Sequence, residues 1–494
     1  MTTKSASAFD RPNVLLICCD HLRADWLGCN GHPIVQTPQI DKLAYGGVNF
    51  QSAFSECPVC VPARRILMTG MGPYRIHMNM NKDTQPFPEG PKLAELMTRS
   101  GYQTFASGKL HTCPQRNRIG FEDVALNEEG RRQGGLLKDD YEAWLEERGL
   151  LHQAWSHGLG NNEYGLRMNP LPDNATTTHW TAQRAMEFVQ RRDPTRPFFL
   201  YVSFDKPHPP IVPPSSYYEL YRDAEFPAPV MGEWLSTKIP SRILGTRDSN
   251  NYDDLLRNPA IIQQSLRGFA AMITHIDSMI GQIIGTLREA GQYDNTWIIF
   301  TSDHGDQLFE HGHFAKGDFF RGSTNVPLIV RPSNRWRSEH GFVGGRVNSA
   351  TPAGLADIMP TILDIAGLKM PGNVEGQSLL PLAQRGRGKF RPYTFGNCMT
   401  VYGVSDGQHK YQWFGDDDME FLFDTHTDPL ECHDLSELPS HREILIRLRT
   451  ALIDWMAAHN DPHVKAGKLR PAKPNLPRLA EGKAVNNWNN RGRH

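Results

Sequence analysis

The stretch CPVCVPAR (57–64) places Cys57 and Cys60 three residues apart, a spacing shared by zinc sites and redox dithiols. A zinc site takes about four soft or borderline ligands, and no second CxxC or HxxxH completes this one. A thioredoxin-like pair would open a helix of a small redox fold, whereas here Pro62 follows the second cysteine. A third pattern separates the two cysteines. Cys60, Pro62 and Arg64 spell Cys-x-Pro-x-Arg, while Cys57 has Val59 and Val61 at the corresponding places.

Other chemistry-bearing residues fall at the ends of β-prone runs. NVLLICC (13–19) ends in Asp20, FFLYVSF (198–204) leads through DKP to His208, and TWIIFTS (296–302) leads into Asp303 and His304. Short continuous apolar runs of this kind read as buried parallel strands, and PLIV (327–330) is another. Between them, 91–101 and 266–291 carry apolar residues at three- and four-residue spacing with a glycine near the end, the pattern of amphipathic helices. Strands alternating with helices predict an α/β sandwich, and ligands of such sheets gather at the carboxyl ends of the strands. Three segments therefore point at one site.

A last core helix is expected over 356–368. From about residue 390 the texture changes to short antiparallel strands, followed by an amphipathic helix over 442–459. The reading is a catalytic domain over 1–385, a small C-terminal α+β domain over 386–460, and a tail over 461–494. That tail holds eight Lys or Arg against two Asp or Glu, with four prolines. It reads either as a solvated segment or as an arm embracing a second subunit of a homo-oligomer, with Trp488 as anchor.

Composition excludes several classes. The 494 residues, 39% hydrophobic and 22% charged, suit a globular protein with a large core. Lys and Arg number 53 against 54 Asp and Glu, so global charge steers the chain toward neither nucleic acid nor an anionic membrane. A small-molecule partner is expected. The longest early apolar run, Val14 to Cys19, is too short for a signal-peptide core or a membrane span. Eight cysteines without small-domain spacing argue for a reducing compartment, and the cytoplasm is the expectation.

Cys-x-Pro-x-Arg at Cys60, followed by RRILMTG, resembles the maturation motif of the sulfatases, and the likeness runs along almost the whole chain. NVLLICCDHLRADWLGCNG resembles the family's first strand with its metal-binding aspartate, and GYQTFASGKLH its Gly-Lys-x-His element. FFLYVSFDKPHPP is similar to the strand that ends in a Pro-His pair, and FTSDHGDQLFEHGHFAKG to the second metal segment with its downstream lysine. ADIMPTILDIAGL, GQSLLPL and LFDTHTDPLECHDL resemble the closing segments. Matches in this order identify the chain as a member of the formylglycine-dependent sulfatases of the alkaline-phosphatase-like superfamily.

That resemblance implies a large mixed, mostly parallel sheet sandwiched by helices, with a small C-terminal domain. It implies that a maturation enzyme oxidises Cys60 to formylglycine. Its hydrated diol attacks the sulfur of a sulfate monoester and then expels the sulfate as the second hydroxyl loses its proton, a step closed to serine. Asp20, Asp303 and His304, with the oxygen on residue 60, are the implied ligands of one divalent cation. Calcium is the family's usual ion; His21 in place of a second aspartate and His304 in place of asparagine leave manganese or magnesium open. Arg64 is expected to orient the diol. Lys109 and His111, at i and i+2 of an extended stretch, should share one side, supplying charge and a base. His208 and Lys316 are the candidates for binding sulfate and protonating the leaving oxygen. His311 and His313 read as loop structure, and Arg75 and His77 as pocket lining or plain surface. A phosphonate monoester or phosphodiester hydrolase is the nearest rival, disfavoured by Gly108-Lys109-Leu110-His111. A non-catalytic binder of sulfated ligands is a remoter one. Aryl, alkyl, choline and carbohydrate sulfates all fit as substrates.

Overall fold

The computed structural model describes residues 11–131, 138–249, 255, 258–385 and 390–472. Eight strands form one sheet: β1 (Asn13–Asp20), β2 (Val48–Phe50), β3 (Gln103–Gly108), β4 (Asp123–Leu126), β5 (Phe198–Pro207), β6 (Thr296–Ser302), β7 (Leu328–Arg331) and β8 (Arg346–Asn348). Their spatial order is β4-β3-β5-β1-β6-β7-β2-β8. Pairing is parallel from β4 to β6 and antiparallel on both sides of β7. The PLIV run is thus a buried strand of reversed direction, and the sheet is mixed.

Two-residue periodicity divides the central strand between two cores. Val14, Leu16 and Cys18 of β1 pack into one, with the helices Cys60–Thr69, Leu93–Arg99 and Ile358–Ile365. Leu15, Ile17 and Cys19 pack into the other, beneath the helices Thr177–Arg191 and Pro259–Glu289. Full burial of each aliphatic side chain contributes about 1.5–3 kcal/mol, which is why this strand carries no polar residue between Asn13 and Asp20. The second long helix starts earlier than residue 266. Asn258 accepts the backbone N–H groups of Ala260 (3.2 Å) and Ile261 (3.4 Å), with Pro259 at the first helical position. That cap-plus-proline pair sets the start ahead of the strongly apolar stretch.

The C-terminal part holds a four-stranded antiparallel sheet, β9 (Thr394–Cys398), β10 (Val401–Ser405), β11 (His409–Phe414) and β12 (Met419–Asp424). One face carries Tyr402, Val404, Tyr411 and Trp413 against the helix Arg442–Ala458, as the sequence pattern predicts. The other face sends Val401, Phe414, Phe421 and Phe423 into the core of the large sheet. Beyond that helix, Val464–Lys465 and Lys468–Leu469 pair antiparallel, and Asp461 accepts hydrogen bonds from Tyr74 (2.5 Å) and Tyr402 (3.1 Å). Trp488 lies outside the described residues. Among the described residues no helix is long and apolar enough to cross a membrane.

Glu56 ties the small sheet to the turn before the helix Ile358–Ile365. Its buried carboxylate accepts the N–H groups of Leu355 and Ala356, each at 3.1 Å, and its carbonyl accepts from the N–H of Asn397 at 2.9 Å. Burial, with Asp357 nearby, pushes its pKa up from 4.5 to about 7. Between those values the fold keeps a proton that the unfolded chain has released, so this group's contribution to stability is lost as pH rises toward 7. Unfolding free energies at pH 5 and pH 8 should therefore show a decline on the order of 3 kcal/mol from this group. Denaturant titrations of Glu56→Gln are expected to show that slope flattened.

Candidate active site

Strand register builds the site. Asp20 pairs with Pro207 across a register shift in β1, Cys19 pairs with Ser302, and Gly108 pairs with Ser203. Lys109, His208, Asp20 and Asp303 thus leave four adjacent strands, β3-β5-β1-β6, at the same edge. Gly108 is required there: its φ is +98°, and a Cβ would lie 1.9 Å from the Ser203 carbonyl oxygen. The helix Cys60–Thr69 opens at Cys60, which points its dipole's positive end at this edge.

Cys60 is fully buried. Its Sγ lies 3.2 Å from His304 Nε2 and 3.7 Å from Asp20 Oδ1. The ligand atoms of Asp20, Cys60, Asp303 and His304 all lie within 4.8 Å of one another. His304 Nδ1 is 2.9 Å from the Gly305 carbonyl, which fixes the proton there and turns Nε2 toward Cys60. Asp20, His21, Cys60 and His208 converge as well, but Lys316 Nζ already contacts His21 Nε2 and lies 3.4 Å from His208 Nε2. That ammonium is the cation of the second group, so the first is the candidate for a metal.

Three observations fit the first group to a divalent ion. Asp303 Oδ2 is buried and takes no hydrogen bond of regular geometry among the described residues, although Arg64 Nε stands 2.9 Å away. The donor set of two carboxylates and one imidazole suits such an ion. The site also favours positive charge: burial works against it, yet Asp303 and Cys60 push the His304 pKa up to about 9. Asp20 is held well below the usual carboxylate range; burial opposes this, and Lys109, His208 and Arg64 outweigh it. Burial and the Asp20 charge push the Cys60 thiol up, but Lys316, Lys109 and His304 overcome them and leave it below its ordinary value.

Arg64 spends its guanidinium on the strand ends. Besides Asp303 it contacts Asp20 Oδ2 (3.3 Å) and donates to the Lys109 carbonyl (2.9 Å) and Ser203 Oγ (2.7 Å). It thus pins both carboxylates while the helix presents Cys60. Lys109 Nζ is fully buried between Asp20 Oδ2 and Glu129 Oε2, the latter at 2.9 Å. His208 donates from Nδ1 to the Pro209 carbonyl at 2.5 Å, leaving Nε2 facing Lys316.

His111 departs from the expected geometry. The strand ends at Gly108, and His111 itself takes φ +55°, so Lys109 and His111 are not alternate residues of an extended stretch. Glu128 causes the turn by accepting the N–H groups of Leu110 and His111, both at 2.9 Å. The imidazole instead meets Arg131, with Nη1 at 2.9 Å from Nδ1, and Asp83 at 3.4 Å from Nε2. Burial and the Arg131 charge lower its pKa to about 3. His311 and His313 serve the loop: His311 Nδ1 accepts from Gly232, and His313 pairs with Asp318 at 2.6 Å. Arg75 lies on the surface against Glu375, and His77 is exposed. Cys57 is buried among apolar groups.

Sequence reasoning missed Glu129 and Arg131, which sit beside Lys109 and His111, and Asp306, which holds His21 Nδ1 at 2.7 Å. Glu129 was within reach of the strand-end rule, because β4 ends at Leu126 opposite Gly108. Four residues of strand, three of them exposed or half-buried, were too weak a pattern to signal it.

A mixed sheet with acidic residues at two strand ends, a helix N-terminus aimed between them and a small sheet docked alongside is the architecture of the alkaline-phosphatase-like fold. A solved phosphonate monoester hydrolase of Agrobacterium radiobacter shares that fold with TM-score 0.77 at 24% identity, covering 91% of this chain and 96% of the other. A family model described as Sulfatase matches residues 12–368, and one described as N-sulphoglucosamine sulphohydrolase, C-terminal, matches 309–458. An arylsulfatase of Clostridium perfringens is 32% identical over 94% of this chain and 98% of its own length. A choline-sulfatase of Rhizobium meliloti is 29% identical over 91% of this chain and 87% of its own. The chain belongs to the sulfatase family and is an enzyme of that class, a sulfuric ester hydrolase.

Proposed function

We propose that residue 60 works as formylglycine, installed by a separate maturation enzyme, and that the enzyme hydrolyses a small sulfate monoester in the cytoplasm. The observation that carries this is the convergence of Cys60, at a helix N-terminus, with Asp20, Asp303, His304 and Lys109 in one buried cluster. None of the eight cysteines is bonded to another, in keeping with a reducing compartment.

Asp20, Asp303, His304 and residue 60 would hold a divalent cation, which supplies Lewis-acid neutralisation of a sulfate oxygen and acidifies the nucleophile when bound. Calcium is the first choice for this set, and the imidazole of His304 leaves manganese or magnesium open. Lys109 and Lys316 bring positive charge to the sulfate, whose charge shifts toward the bridging oxygen as the S–O bond breaks. His208 Nε2 and Lys316 Nζ, 3.4 Å apart, share the position from which a proton reaches the leaving oxygen. Arg64 keeps Asp20 and Asp303 in place throughout.

Mass spectrometry of the peptide spanning residue 60 should show CH2SH replaced by CHO, and active protein carrying only thiol would overturn the mechanism. The fold likeness to a phosphonate monoester hydrolase gives the second reading. Comparing kcat/KM on an aryl sulfate and an aryl phosphonate ranks the two. The sulfate is expected to be preferred, and a decisive preference for the phosphonate would reverse the order.

A further inference from the structure

The buried carboxylate of Glu129 belongs to none of the roles assigned so far. It is 6% exposed, sits on backbone with φ +57°, and places Oε2 at 2.9 Å from both Lys109 Nζ and Arg131 Nη2. His208 Nδ1 is 3.9 Å from Oε1. Neither oxygen takes a hydrogen bond of regular geometry among the described residues, so charge, not a hydrogen-bond network, holds it there. A buried unprotonated carboxylate in a left-handed conformation is costly and persists only where its surroundings demand it. Burial would raise its pKa, but Lys109, His208 and Arg131 hold it well below the usual range, so it stays an anion.

One of its two partners, Lys109, adjoins the reacting cluster, and the other, Arg131, meets His111. Lys109 is bridged between Asp20 and Glu129, and Arg131 is bridged between Glu129 and the His111 ring. One carboxylate therefore fixes both halves of the Lys-x-His element after the chain has turned them apart at Leu110 and His111. We propose that Glu129 is a positioning residue for the hydrolytic reaction, acting through Lys109. Without it, Asp20 is the carboxylate left to Lys109 among the described residues, and the ammonium is drawn toward the cation-binding carboxylates and away from the sulfate. This assignment rests on the hydrolase reading above, whichever ester is preferred.

The test is a double-mutant cycle on the matured, metal-loaded enzyme, with Glu129→Gln, Lys109→Ala and the pair, assayed on the better of an aryl sulfate and an aryl phosphonate. The wild-type rates on those esters judge the sulfatase reading independently of the cycle. Misplacement of a charged group by about 1 Å costs about 100-fold, so Glu129→Gln is expected to lower kcat by about that factor. KM should stay nearly unchanged, because Glu129 itself does not touch substrate. The pair should be no slower than Lys109→Ala alone, since contacts made through one residue are not additive. A fall in kcat smaller than about tenfold, or additive effects in the cycle, would overturn the proposal. If Glu129→Gln does not fold, Glu129→Asp, which keeps the charge one methylene short, takes its place. It should then lower kcat by about tenfold and again be non-additive with Lys109→Ala; an unchanged kcat or additivity overturns the proposal equally.

Discussion

Cys60→Ser is expected to release at most one equivalent of alcohol per chain from an aryl sulfate and then stop. The hydroxyl of serine takes the place of Sγ, fully buried at the first residue of the helix and 3.2 Å from His304 Nε2, so the surroundings that activate residue 60 remain. One attack on sulfur is therefore open to it. Turnover is not, because a serine sulfate ester has no second hydroxyl on the same carbon from which a proton could be removed to expel the sulfate. Steady-state kcat should fall by about 10⁶-fold, the scale on which removal of a nucleophile registers. Rapid-quench release of the phenol and the mass of the residue-60 peptide check it together, and Cys60→Ala should show neither burst nor sulfated peptide. A serine variant with sustained turnover would show that the nucleophile lies elsewhere.

The second largest effect is expected at Asp20. This carboxylate contacts Lys109 and Arg64 through Oδ2, while Oδ1 is 3.6 Å from His304 Nε2 and 3.7 Å from Cys60 Sγ. In Asp20→Asn one oxygen becomes an NH2 group, which either faces two buried cations or turns its donors on the metal position. Both choices cost charge complementarity in a region closed to water. We expect kcat/KM to fall by about 10³-fold with loss of bound metal. Stability should fall by about 3 kcal/mol, the low end for a broken buried pair, because Lys109 keeps Glu129. Chelation of the wild-type enzyme should abolish activity while leaving the fold intact, and re-addition of calcium, manganese and magnesium in turn should show which ion restores it. Metal content, kcat/KM and the thermal midpoint measure the three consequences separately. Retention of full activity in the metal-stripped protein would remove Asp20, Asp303 and His304 from the role assigned to them.

Legibility of the chain followed the strength of local patterns. β1, β5 and β6 were readable because strands buried on both faces leave predominantly apolar runs, and the charged residue that follows each run lies near the sheet edge where ligands bind. The three-residue strands β2 and β8 and the four-residue β4 carry no comparable pattern. The reversed direction of β7 was equally invisible, since burial on both faces looks the same in either direction. At the site, Asp20, Asp303, His304, Cys60, Lys109, His208 and Lys316 converge. The alternation rule failed for His111, because two backbone N–H groups bond to Glu128 and turn the chain away from strand geometry.

By itself the sequence marked candidate side chains for the chemistry. Cys60 is singled out by Pro62 and Arg64, and the carboxylates and imidazoles are placed by apolar runs that must be buried. Only the tertiary structure decided which of them meet. Register across β3-β5-β1-β6, including the shift in β1 that sets Asp20 opposite Pro207, brings residues up to 283 positions apart to within bonding distance. It also carries Glu129 into the cluster and His111 to its margin. The physical reason is that local patterning constrains which face of an element is buried, whereas distances between elements depend on hydrogen-bond register and on ion pairs formed only once the sheet is assembled.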